Sequence, residues 1–131
     1  MEETDINEIL ADMLSMTVLS GMSRAAVKKA ALKLQNVCVE DNLKVPGGFS
    51  MARSALEKCG TVLAEASEEI PNAVDMVCGV IYSGFGSMNP CYMVISVNND
   101  HINAKAYAKE GLIKQHTAEK AMETFKSALF N

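Results

Sequence analysis

No run of apolar residues in this sequence approaches the roughly 18 consecutive residues that a membrane-spanning helix requires, although 49% of the chain is apolar. Basic residues are also in short supply: 12 Lys and Arg against 16 Asp and Glu leave a net charge of −4. A nucleic-acid partner is not expected, because phosphate contacts need a clustered basic face. Histidine occurs twice, as His101 and His116 in separate stretches, so no metal cluster is expected. The four cysteines, Cys38, Cys59, Cys78 and Cys91, form no C-x-x-C pair, which removes the zinc and thioredoxin-type signatures. The opening residues, MEETDINE, are acidic where a secretion signal would be basic. A cytoplasmic protein with free thiols is therefore the expectation, without a cofactor and without a membrane partner.

What is present is the composition of a globular domain. The 131 residues are enough to bury a core without staples, and one domain over 1–131 is expected. One charge pattern stands out. Glu2, Glu3, Asp5, Glu8 and Asp12 are followed by Arg24, Lys28, Lys29 and Lys33, as in two neighbouring helices that complement each other.

Periodicity predicts those helices. Ile6, Ile9, Leu10, Met13 and Thr17 recur at helical spacing over residues 4 to 20, with Thr4 as a cap. Gly21 and Ser23 stop this helix and cap the next, which turns Val27, Ala30, Ala31, Leu34 and Cys38 inward. The short connection makes them an antiparallel pair. The stretch EDNLKVPGGFS, residues 40 to 50, reads as a loop broken by Pro46, Gly47 and Gly48. Ser50 then caps a third helix to about residue 69, with Ala55, Leu56, Cys59, Leu63 and Ala66 inward and EASEE (Glu65, Glu68, Glu69) as its solvated end.

Strands come next. Residues 74 to 83, VDMVCGVIYS, are apolar on both faces, as in a central strand, although their length also fits a buried helix. Asn99 and Asp100 suit a tight turn. That turn sets Val97, Ile95, Met93 and Cys91 against Ile102, Ala104, Ala106 and Ala108 on one face. Asn98, Ser96, Val94 and Tyr92 then oppose His101, Asn103, Lys105 and Tyr107 on the other. Thr117 caps a last helix with Ala118, Ala121, Met122, Phe125 and Leu129 inward. The fold class is α+β: a three-stranded antiparallel meander carrying about four helices, in the order ααα-βββ-α.

If the third helix leads straight into the first strand, both about 30 Å long, the start of the helix meets the end of the strand. PGGFS would then sit beside GFGSMNP, with Lys109, Lys114, His116 and Thr117 arriving at the same edge. Glycines let backbone approach a ligand, and helix N-termini attract anions. The expected site is Gly47, Gly48, Arg53, Gly84, Gly86, Lys114 and Thr117, holding a small phosphate or carboxylate ligand in a non-enzymatic binding or regulatory module. Neither loop matches a P-loop or a G-x-G-x-x-G fingerprint.

Two other readings remain. Cys91 activated by His116 would make a thiol-dependent hydrolase or transferase; Cys91 with His101 is excluded, because the hairpin holds them on the order of 20 Å apart. A protein-interaction module would use Met13, Met16 and Met22 with a sheet face of Val77, Ile81, Tyr92, Val94 and Tyr107. On any of the three readings the domain is expected to self-associate, as a homodimer through that face if the helices leave it open.

Overall fold

Asn99, at a φ of 58°, and Asp100 turn the chain between two ten-residue strands, Asn89–Asn98 and His101–Glu110. The register is the one the alternation predicts: Cys91 opposes Ala108, Met93 opposes Ala106, Ile95 opposes Ala104 and Val97 opposes Ile102. All eight of these side chains are buried. The computed structural model describes residues 3–17, 23–66, 74–83, 89–110 and 116–130. Its elements are α1 (Glu3–Thr17), α2 (Arg24–Leu32), β1 (Gln35–Lys44), α3 (Gly48–Cys59), β2 (Thr61–Ala66), β3 (Asp75–Ser83), β4 (Asn89–Asn98), β5 (His101–Glu110) and α4 (Thr117–Phe130). Among the described residues, no helix is long and apolar enough to cross a membrane.

The α+β class holds, but the sheet has five strands, ordered β1-β5-β4-β3-β2 and antiparallel throughout. Two of them replace expected helix and loop. Residues 35 to 44 form a strand because Val37, Val39 and Leu43 alternate with polar residues and fall opposite Ala108, Ala106 and Ile102 of β5. The second helix therefore stops at Leu32, and Cys38 lies in β1, beside Tyr107 of β5. The third helix ends at Cys59, where Gly60 breaks it, and Thr61–Ala66 pairs with β3 as an edge strand. Leu63, expected inside, sits at a register shift in that strand and is 53% exposed.

One face of the sheet carries the main core. Val77 and Ile81 stand opposite Ile95 and Cys91, so they belong here and not with the tyrosines, as the sequence reading had it. Leu56 from α3 and Phe125 from α4 are fully buried against this face, each contributing roughly 1.5–3 kcal/mol by area. The stripe expected for the last helix, Ala118 to Leu129, is buried here as well. On the second face, Ile6, Leu10 and Met13 of α1 pack on Val80 and Tyr92.

The start of α3 is pinned to the hairpin turn. Val45 N–H donates to the carbonyl of Asp100 at 2.7 Å. Gly47 is the N-cap of α3, in place of Ser50, with a φ of 103° and no side-chain cap. Gly48 has a φ of 52°, and a Cβ there would collide with the carbonyl oxygen of Asn99. Gly48→Ala is expected to cost about 1–3 kcal/mol through strain and displacement of the turn, read as a lower denaturant midpoint at constant slope. The exposed neighbour Ser50 offers the control: Ser50→Ala should stay within about 0.5 kcal/mol of the parent. An unchanged midpoint for Gly48→Ala contradicts this packing.

Candidate functional site

The glycines of PGGFS do not meet the start of the last helix. Gly48 lies against Asn99 at the start of β5, whereas Thr117 follows its far end, about 30 Å away at strand rise. The cause is β2. A strand inserted between α3 and β3 reverses the chain once more, so α3 starts near the beginning of β3 and not near its end. Gly84, Gly86 and Lys114 lie outside the described residues.

The expected anion-binding groups are already occupied by this chain's own carboxylates. Arg53 donates through Nε to Glu65 and through Nη1 to Glu57. That places Glu65 in a strand with a cationic partner instead of at a helix end; Glu68 and Glu69 lie outside the described residues. At the start of α4, the backbone N–H of Thr117 donates to Glu110 Oε1 at 3.1 Å. A carboxylate thus takes the position that a ligand anion would fill.

Cys91 and His116 sit in different surroundings. Cys91 is fully buried, with Sγ 3.9 Å from Met93 Sδ, and burial raises its pKa to about 12. His116 is exposed, its Nδ1 lying 3.0 Å from Glu119 Oε2. No thiolate forms near neutrality at such a site. Among the described residues, no group of three His, Cys, Asp or Glu side chains could hold a metal ion. Nor is the tyrosine face an open surface, because α1 buries Tyr92 and leans on Tyr107. Met13 is buried in that seat; the side chains of Met16 and Met22 lie outside the described residues.

The structure offers a different concavity. α1 seats on the Val80 and Tyr92 end of the second face, and beside the hairpin turn that face forms a hollow of about 330 Å³. Asn42, Lys44, Ser96, Asn98, His101 and Asn103 are among the residues that line it, together with Val74. Their convergence follows from register: Asn103 opposes both Asn42 and Ser96, and His101 opposes both Lys44 and Asn98. Asn103 Nδ2 donates to Asn42 Oδ1 at 2.9 Å and to Glu40 Oε2 at 2.8 Å. This fixes both amides and leaves Asn42 Nδ2 as a donor and Asn103 Oδ1 as an acceptor. The lining is mostly carbon with polar groups as discrete points, the usual make-up of a small-molecule site.

Charge at the rim is only loosely neutralised. Asp100 stands 3.9 Å from Lys44 Nζ and 3.7 Å from His101 Nε2, and the Lys44 and His101 side chains are both 71% exposed. The signal for these residues was half visible. The polar face of the hairpin was legible, but Asn42 and Lys44 sat in a stretch that reads as a loop.

No protein-family model, curated protein or solved structure matches this chain.

The buried thiol has a measurable consequence. Its pKa is raised in the folded protein, so its contribution to stability is intact below the ordinary thiol value near 9. The contribution is lost as pH climbs toward about 12. Stability should fall across that window, and Cys91→Ala should make the fall shallower, measured by chemical denaturation at several pH values. Equal slopes for parent and variant contradict the assignment.

Proposed function

We propose that the chain is a non-enzymatic binding module that takes a small anionic ligand in the hollow beside the hairpin turn. The observation that carries this reading is the convergence of Asn42, Ser96, Asn98 and Asn103 from three adjacent strands under Lys44 and His101. Lys44 and the Asn42 amide would donate to a carboxylate or phosphate oxygen, while Asn103 Oδ1 would accept from a hydroxyl of the same molecule. A hydroxycarboxylate or a sugar phosphate carries both groups. Strands hold the site, which keeps its geometry rigid and limits the entropy lost on binding. The thiol-dependent hydrolase or transferase has no comparable support, because Cys91 is sealed inside the core.

A thermal-shift series with inorganic phosphate, sugar phosphates, nucleotides and small hydroxycarboxylates tests the reading. A ligand at a hundred times its dissociation constant should add about 2.7 kcal/mol of stability. The shift should vanish in Asn103→Ala and in Lys44→Ala and persist in Arg53→Ala, whose guanidinium is held by Glu57 and Glu65. No shift across the panel, or one abolished only by Arg53→Ala, contradicts the site.

A further inference from the structure

α2 is packed on α1 and has little support from the sheet. Among its described side chains only Ala31 is buried, while Ala25, Ala26, Lys29, Ala30 and Leu32 are exposed. Leu34, just beyond its end, is 39% exposed and is tied to the sheet by Lys109, whose Nζ donates to the Leu34 carbonyl at 3.1 Å. Helices shorter than about 12–15 residues are marginal without a packing partner. One so short, with so little buried, is an incomplete packing layer.

Its charges are incomplete as well. The acidic stretch and the basic stretch were expected to neutralise each other within the pair. Among the described residues a single ion pair joins the helices, Lys28 Nζ to Asp12 Oδ1 at 2.9 Å. Lys29 and Lys33, one turn apart and exposed, have no ion-pair partner among the described residues, and neither does Glu8, exposed on α1.

We infer that this helix pair is the contact surface for a second copy of the chain, in a two-fold dimer in which α2 of each copy lies against the helix pair of the other. A two-fold axis places residue i on j and j on i. An acidic helix joined to a basic one is therefore complementary to itself, so that Lys29 and Lys33 of each copy meet Glu8 of the other. Ala25, Ala26 and Ala30 permit close approach of helix axes, and Leu32 and Leu34 gain apolar cover. A second copy is favoured over a foreign acidic helix or an anionic lipid surface because the complementary acidic residue lies on this same chain. The surface is small, two helices about 22 Å and 13 Å long, which sets the dimer at the weak, concentration-dependent end of the range.

Sedimentation velocity across a wide range of protein concentration, at low and high salt, tests this. The mass should rise from monomer to dimer with concentration, and less readily in high salt, which screens exposed charges. Lys29→Glu with Lys33→Glu in one chain, and Glu8→Lys in another, should each raise the dissociation constant on the order of tenfold. An equimolar mixture of the two should associate again, because each variant carries the charge the other now needs. Lys29→Ala with Lys33→Ala, which adds no repulsion, should weaken association at an unchanged unfolding temperature. A monomer at every concentration overturns the inference, even if it binds anionic vesicles or an acidic peptide. So does a dimer indifferent to the variants, or a mixture no tighter than its parts.

Discussion

The architecture depends on β5 pairing with β4 on one side and with β1, the first strand of the chain, on the other. Ten residues of β1 run in unbroken register, from Gln35 opposite Glu110 to Lys44 opposite His101. Side chains alternate with a period of two, so a slip of one residue would drive Glu40 and Asn42 into the core and expel Val39 and Leu43. The same register that fills the core brings Asn42 beside Asn103 on the opposite face. Asp41 reinforces it from β1 by an ion pair with Lys126 of α4 at 2.9 Å, which also holds the Asp41 carboxyl below its ordinary pKa.

The two sheet faces divide the work of the molecule. One is apolar across its central strands and takes α3 and α4, with Asp41 at its β1 edge. The other changes character along its length: Val80, Tyr92, Cys78 and Val94 accept α1, and then the strands turn polar toward the hairpin. A helix laid over Asn42, Ser96, Asn98 and Asn103 would have to desolvate their amides and hydroxyl without replacing each hydrogen bond. That cost confines α1 to the apolar half and leaves a concave floor on rigid strands, with amides at discrete points where a ligand can supply the missing partners.

Local signals were legible where one period held and a turn residue marked its end. The hairpin at Asn99 and the stripe of the last helix are of this kind. The strand at 35 to 44 was hidden because Leu34 and Cys38 continue the helical spacing of Val27, Ala30 and Ala31, and because its outer face is as polar as a loop. β2 was hidden by Ala64, Glu65 and Ala66, which suit a helix; only the change to Thr61-Val62 after Gly60 hinted otherwise. Missing that one strand reversed the direction of α3 against β3 and moved the PGG loop to the wrong end of the sheet. Arg53 and Thr117 looked available for an anion because their partners, Glu65 and Glu110, reach them only in the folded chain.

The β1–β5 register is what both the core and the amide floor require, and cross-strand nuclear Overhauser effects measure it directly. The account predicts contacts between β1 and β5 backbone protons that follow the pairing of Val39 with Ala106, Asn42 with Asn103 and Lys44 with His101. Sequential helical contacts through residues 35–38, with no cross-strand contacts to β5, would contradict it. The floor of the hollow would then not exist.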